Sequence, residues 1–194
     1  MEMKAGVKTF FAKTQKEWRK WLEKNHQAEK AVWLIFYKKG SRIQSTNYSE
    51  ALEEALCFGW IDSKANKRDE ESYYQYFAKR KPKSNWSRIN KEKVAKLIEK
   101  GLITPAAFEA IEIAMQNGAW TALDEVDELI IPSDLKLLFD KNKTAFENWE
   151  KFSHSVKTAI LEWILNAKKQ ETRQKRIAEA VELAEKNIKT NFQL

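Results

Sequence analysis

A basic and aromatic stretch that follows a predicted strand has the clearest capacity to bind a ligand. Its pattern predicts a helix that begins near Ser84, and a helix start attracts anions because its backbone N–H groups are unpaired and its dipole end is positive. Cations just before the start add to this attraction, and a tryptophan offers a flat surface for a base or sugar. The alternative is structural, with Ser84 only a cap, Trp86 core and the lysines solvated. The predicted anion site comprises Arg80, Lys81, Lys83, Ser84, Trp86, Ser87 and Asn90.

A candidate pocket is centred on Asp62, with Trp60 beside it. Asp62 follows a buried-looking apolar run and precedes a predicted hairpin, and a strand end can present a side chain to a pocket. A general acid or base needs a partner and a tuned pKa, and the sequence shows neither. A salt bridge from Asp62 to Arg80 or Lys81 is therefore the favoured interpretation.

A second basic cluster surrounds the start of the last predicted helix. Two of its arginines are three residues apart, so they share a helix face and could clamp a carboxylate or phosphate. The favoured interpretation is a bridge to an acid on another helix, such as Glu162 or Asp124. The cluster comprises Lys168, Thr172, Arg173 and Arg176.

Other kinds of chemistry find little support in the sequence. Cys57 lies at a predicted helix C-terminus, which raises the pKa of a thiol, so no nucleophilic role is expected. His26 and His154 have no ligand-like spacing around them, so no metal site is predicted. The chain lacks a P-loop, a dinucleotide glycine pattern and a nucleophile elbow. We therefore predict no cofactor and name no catalytic residue.

The charge of the chain is concentrated in one region. The net charge is +7, and residues 64–100 hold twelve Lys or Arg against five Asp or Glu, an excess of seven. A basic surface attracts phosphate and nucleic acid, so the predicted partner is an anionic small molecule or nucleic acid. The alternative is that lysine-rich helices only keep the protein soluble.

The elements that must position these residues form an α+β pattern in the first two thirds of the chain. Trp18, Trp21 and Leu22 have the spacing of one helix face, and residues 31–37 form an apolar, aromatic-rich run typical of a central strand. Asn47 and Glu50 have the spacing of a capping box. That helix ends at Gly59, and a hairpin with strands at residues 60–62 and 72–77 follows.

The remainder of the chain is predicted to be helical. Thr104 and Pro105 indicate a helix start, and further helices are expected after Ser133 and after Ser153. A last helix is expected to carry Ile177, Ala180, Val181 and Ala184. The apolar pattern thins between residues 119 and 132, which predicts a boundary there. No apolar run approaches the roughly 20 residues of a membrane span, and the first eleven residues lack a signal-peptide pattern. We therefore expect no membrane span and a cytoplasmic protein.

Two strings of residues resemble the YdeI/OmpD-associated, or bacteriocin-protection, family. The first reads EALEEALCFGWIDS at residues 50–63 and RKPKSNWS at residues 80–87. The second reads WILNAKKQETRQKRI at residues 163–177 and resembles the C-terminal OmdA-like helical region. The resemblance spans residues 18–184. It implies a link to protection against bacteriocins and to an outer-membrane porin, with no catalytic residues to carry over. Some descriptions of the family suggest a periplasmic setting, and this sequence departs from them because it shows no export signal.

These observations predict an α+β protein. We expect a small, mainly antiparallel sheet of three to four strands with flanking helices in residues 1–125, and an all-helical region in residues 126–194. The predicted function is non-enzymatic binding of an anion or nucleotide, linked to stress or bacteriocin protection. Two alternatives remain open: a protein-interaction subunit with Trp120 or Trp149 exposed, whose protein partner is unknown, and an enzyme acting on a phosphorylated small molecule.

Overall fold

The computed structural model describes residues 2–189 and divides into two compact units between Thr121 and Ala122. The first unit contains β1 (Met3–Lys4), β2 (Val7–Phe11), α1 (Gln15–Asn25), β3 (Ala31–Tyr37), α2 (Tyr48–Cys57), β4 (Trp60–Lys67), β5 (Ser72–Lys79), α3 (Arg88–Glu99) and α4 (Pro105–Gln116). The second contains α5 (Asp124–Asp127), α6 (Ser133–Lys141), α7 (Lys143–Glu150), α8 (His154–Leu165) and α9 (Gln170–Glu185). The α+β class and the helical C-terminal region are confirmed.

The sheet has five strands in the order β1-β2-β3-β5-β4. It is mixed, because β2 and β3 are parallel whereas the other neighbours are antiparallel. The prediction of three to four strands is wrong, since it omitted β1 and β2. These two strands are short and have only a broken apolar pattern. The parallel pair needs a crossover connection, and α1 supplies it.

Several predicted elements are confirmed because they depend on local chemistry. The run at residues 31–37 is β3, and its five buried residues, 32–36, alternate between the two faces of the sheet. The capping box that starts α2 is complete: Asn47 accepts from the Glu50 amide at 3.0 Å, and the Glu50 carboxylate accepts from the Asn47 amide at 3.2 Å. Each bond satisfies an amide that has no partner within the helix.

The predicted helix start near Ser84 is wrong, because α3 begins at Arg88 with Ser87 as its cap. The Ser87 hydroxyl accepts from the Asn90 amide. Amides before this point are already paired, Ser84 with the Lys81 carbonyl and Trp86 with the Ala119 carbonyl. The chain between β5 and α3 is therefore held by turns and by the buried Trp86 ring.

The helices of the first unit pack on one face of the sheet. Val32, Leu34 and Phe36 on β3 belong to the same cluster as the buried tryptophans of α1. The intervening residues, Trp33 and Ile35, form a separate cluster on the other face.

The second unit has its own apolar core. Its largest fully buried side chains are Leu135, Phe139, Trp149 and Ile160. Within residues 2–189, no helix combines the length and apolar character that crossing a membrane requires.

Candidate functional site

The first unit contains a cavity of about 390 Å³, a size typical of sites for small organic ligands. Its walls come from the end of α1, the connection from α2 to β4, the end of β5 and one face of α4. The lining residues with polar or aromatic side chains include His26, Phe58, Trp60, Lys79, Arg80 and Glu109.

Gly59 shapes this cavity because it lets α4 approach the start of β4. Its φ angle is +71°, and a Cβ atom at this position would lie 3.1 Å from the Ala106 carbonyl oxygen. Its own carbonyl accepts from the Arg80 amide at 2.9 Å. The glycine therefore joins the end of β5 to the wall that α4 provides.

Replacing Gly59 by alanine is expected to destabilise the first unit by about 2 kcal/mol, since a left-handed conformation costs about 1–2 kcal/mol with a Cβ atom and the contact with Ala106 adds to that. Gly101→Ala is the matched control, because Gly101 also has a positive φ of +66° but no atom within 4 Å of the added Cβ. Urea unfolding of both variants measures the difference. Equal losses would contradict a role for the close approach to α4.

Arg80 is the least satisfied polar group on the cavity wall. Its guanidinium carbon lies 3.7 Å from the centroid of the Trp86 ring, and that ring lies 4.9 Å from the Trp120 ring. One terminal nitrogen, Nη2, donates to the Asn85 carbonyl. Nε and Nη1 are buried, and neither finds a hydrogen-bond partner among the described residues.

Burial lowers the pKa of the Arg80 guanidinium to about 10, and the charge of Asp62 offsets this effect only in part. The group is therefore a cation at neutral pH. A buried cation with unused donors is costly unless an anion or acceptor pairs with it. The arrangement is thus suited to a carboxylate or phosphate, whose oxygens match the planar array of guanidinium donors.

Three other polar side chains of the cavity contact backbone carbonyls. Lys79 Nζ donates to the Gln27 carbonyl at 2.8 Å, and the Trp60 indole donates to the His26 carbonyl at 3.4 Å. His26 Nδ1 lies 2.9 Å from the Leu22 carbonyl, and a carbonyl only accepts, so Nδ1 carries a proton. These bonds hold the aromatic wall in place.

The structure divides the predicted anion site. Arg80 lines the cavity and Trp86, which is buried, supports it. Lys81 and Lys83 are exposed, as in the structural alternative. The other members, Ser84, Ser87 and Asn90, are half-buried around the turn and the start of α3.

Asp62 lies on β4 two residues beyond the cavity residue Trp60. Its Oδ2 accepts from the Tyr48 hydroxyl at 2.9 Å and from the Gln75 amide at 3.1 Å. Burial, together with the bond to Asp62, raises the pKa of Tyr48 to about 12. The hydrogen-bond donors to Asp62 are thus neutral groups rather than the cations expected from the sequence.

In the second basic cluster, Arg173 makes the expected bridge but with a different acid. It donates through Nε and Nη2 to the two oxygens of Asp134, at 2.7 Å and 2.9 Å. Arg176 donates to the Trp163 carbonyl and lies 5.0 Å from the centroid of that ring. Lys168 is exposed and Thr172 is half-buried, and Lys169 occupies the cap position of α9.

The bridge to Arg173 lowers the pKa of Asp134, chiefly through the hydrogen bonds. A depressed pKa stabilises the fold above the unfolded value, near 4, and the contribution disappears as pH falls through the folded value. We expect Asp134→Asn to lose about 0.5–1 kcal/mol of unfolding free energy at pH 7, with the difference shrinking below about pH 4. Urea unfolding across pH measures it.

Glu171→Gln is the control for this prediction, because the Glu171–Lys175 pair is largely exposed. An exposed pair contributes little to stability. If both substitutions show the same pH dependence, the Asp134 bridge has no special role.

The sequence analysis missed the residues that reach the cavity from other elements, namely His26, Phe58, Lys79 and the α4 residues. No local signal identifies them, since they come from distant parts of the chain.

Cys57 lies in the core near this site, and burial raises the pKa of its thiol to about 11. Among residues 2–189, no three His, Cys, Asp or Glu side chains converge as a metal site would require.

The fold and the cavity define a protein of two units, an α+β unit with a buried arginine beside a ligand-sized cavity and a helical unit. The chain belongs to the family described as Domain of unknown function (DUF8412), whose model matches residues 10–110.

Residues 128–187 match the model described as Bacteriocin-protection, YdeI or OmpD-Associated (OmdA), so the resemblance is confirmed for the C-terminal region. The string at residues 50–63 lies within the first match. Neither the curated proteins nor the solved structures contain a match to the chain.

Proposed function

We propose that the first unit is a binding protein for an organic anion, whose carboxylate or phosphate pairs with Arg80 and whose apolar body contacts Phe58 and Trp60. The observation that carries this proposal is the pair of buried donors, Nε and Nη1 of Arg80, that have no partner among the described residues. An anionic oxygen that accepts from the guanidinium would offset the buried charge.

The charges near the cavity support an anion over a cation. The lining residues include two cations, Lys79 and Arg80, and one carboxylate, Glu109; Lys79 and Glu109 are both exposed. Water and salt screen an exposed charge far more than a buried one. The buried guanidinium therefore dominates the field that a ligand in the cavity would meet.

A small ligand is favoured over a protein partner at this site. The interaction-subunit alternative depended on exposure of Trp120 or Trp149. Trp149 is 2% exposed, and Trp120 is half-buried against Trp86. The enzyme alternative depended on Asp62, whose carboxylate accepts from the neutral groups of Tyr48 and Gln75.

The biological role we infer is in stress or bacteriocin protection within the cytoplasm. The support for this role is the match of residues 128–187 to a model whose description names bacteriocin protection. Cells that express the wild-type chain should survive a bacteriocin challenge better than cells that express an Arg80→Met variant. Equal survival would contradict the link between binding and protection.

A thermal-shift series tests the binding function directly. Benzoate, adenosine monophosphate and inorganic phosphate are the probes, because they share an anionic group and differ in apolar body. A ligand that binds only the native state raises the melting temperature, so benzoate or the nucleotide should do so more than phosphate. Benzylamine, with the shape of benzoate and the opposite charge, is the control. An equal shift with benzylamine would refute anion binding.

A further inference from the structure

The face of the sheet opposite the helices carries a cluster of aromatic side chains. The aromatic face is defined here by Trp33 on β3 and by Tyr74 and Tyr76 on β5, which alternate with residues that point into the core. Ile35 and Tyr37 extend the same cluster along β3. Members of this cluster come from strands, and no helical residue belongs to it within the described chain.

The rings of this face are arranged edge to face rather than stacked on one another. Trp33 lies 4.8 Å from Tyr76 at an interplanar angle of 69°, and 6.1 Å from Tyr74 at 68°. Tyr76 is half-buried, whereas Trp33 is 2% exposed. The indole nitrogen of Trp33 is buried and has no hydrogen-bond partner among residues 2–189.

Flexible cationic side chains cover these rings. Lys4 lies 4.3 Å from the Tyr74 centroid and 5.3 Å from the Trp33 centroid. Lys64 lies 5.7 Å from Trp33 and 5.8 Å from Tyr76. A lysine over an aromatic ring contributes only about 0.5–1 kcal/mol at an exposed site, so the ammonium group of Lys64, which is exposed, can leave the rings at low cost.

A carboxylate from the N-terminal strand region occupies the same face. Glu2 accepts from the Tyr74 hydroxyl and from Arg68, the latter at 3.2 Å. Arg68 itself lies 5.9 Å from the Tyr74 centroid. Arg68 and the Tyr74 hydroxyl therefore already hold an anionic group, the Glu2 carboxylate, against the aromatic rings.

We propose that the aromatic face binds single-stranded nucleic acid, with an unpaired base stacked on Tyr76 and phosphates paired with Lys4, Lys64 and Arg68. The half-buried ring of Tyr76, bordered by cations, suits a base that is free to unstack, and the buried Trp33 ring packs against it. The charges complement a polyanion, since three cations contact these rings and one carboxylate joins them. Glu2 holds the position of a phosphate and competes with the nucleic acid for Arg68.

Fluorescence anisotropy with a labelled oligothymidylate of about 15 nucleotides tests the proposal. Tyr76→Ala should weaken binding about tenfold through the loss of one stacked base, whereas Tyr76→Phe should bind as the wild type does. Lys64→Ala should weaken binding and reduce the salt dependence of the affinity, because one phosphate contact is lost. Glu2→Gln should strengthen binding.

Lys20→Ala is the matched control, because Lys20 is an exposed cation on α1, away from the aromatic face. If Tyr76→Ala and Lys20→Ala bind alike, or a duplex of the same length binds as well as the single strand, the proposal is wrong. A dimer by light scattering that Tyr76→Ala dissociates would assign the face to a second copy instead. Arg80→Met should leave this affinity unchanged, so the two proposals can fail separately.

Discussion

Arg80→Met is expected to weaken anion binding about 100-fold without lowering the stability of the first unit. Removing one partner of a buried, hydrogen-bonded charge pair commonly costs 2–5 kcal/mol of binding free energy, so we expect affinity for benzoate to fall about 100-fold. The loss follows from the two buried donors, Nε and Nη1, that have no hydrogen-bond partner among the described residues. Titration calorimetry of wild type and variant measures the change.

Lys81→Met is the control for this experiment. Lys81 is next to Arg80 in the sequence and carries the same charge, but it is exposed. A solvated cation contributes little to a specific contact, so affinity should change by no more than about twofold. If Lys81→Met weakens binding and Arg80→Met does not, the ligand binds outside the cavity, nearer the start of α3.

The stability of Arg80→Met separates a ligand-binding role from a structural one. Methionine retains the apolar contact with Trp86 and removes a charge whose burial is unfavourable, a replacement that is often neutral or stabilising. The melting temperature without ligand should therefore equal or exceed that of the wild type. A fall of more than about 4 °C corresponds to a loss of about 1 kcal/mol of unfolding free energy. Such a fall would indicate that the guanidinium is a structural element of the fold.

Trp149→Ala is expected to destabilise the second unit strongly and leave the first one unchanged in stability. Trp149 is 2% exposed and lies 5.3 Å from Phe139, at the centre of the core of this unit. Truncation of a buried tryptophan costs about 3–5 kcal/mol. A unit of about 70 residues has a total stability of about 4–10 kcal/mol, so one such cavity removes a large part of it.

Hydrogen exchange resolved along the chain measures this effect. Amides of α6 to α9 should lose protection in Trp149→Ala, whereas those of β3 and β5 should keep it. Leu137→Ala is the control, because Leu137 is 61% exposed on α6 and its removal should change stability by less than about 0.5 kcal/mol. Loss of protection in β3 together with α8 would show that the chain unfolds as one cooperative unit, contrary to our proposal of two domains.

The contrast between α2 and β2 shows how far the sequence predicts the fold. The cap at Asn47 and Glu50 is a contact between residues three positions apart, so the sequence alone predicts it. The composition of residues 31–37 likewise predicts β3. The pairing of β2 with β3 depends on the course of α1 between them. A short strand with a weak apolar pattern can be recognised only from the strand with which it pairs.

The site shows the same division. Arg80 and Trp60 were selected as candidates from the sequence, and the structure places both on one cavity wall. Arg80 was a candidate because a helix was expected to start near Ser84, and that expectation is wrong. Its actual environment depends on Trp86, on the Asn85 carbonyl and on the desolvation that α4 and the α2–β4 connection impose. Likewise, Arg173 was expected to bridge an acid, but its partner is Asp134 on α6.

The sequence by itself determined the α+β class, the helical C-terminal region, the basic character of residues 64–100 and the starts of α2, α4 and α8. These features depend on composition or on side chains within one helical turn of each other. The tertiary structure alone decided the parallel strand pair, the cavity and the burial of the Arg80 guanidinium. Burial and hydrogen-bond partners are properties of residues that are distant in the chain and adjacent in space, so no local pattern encodes them.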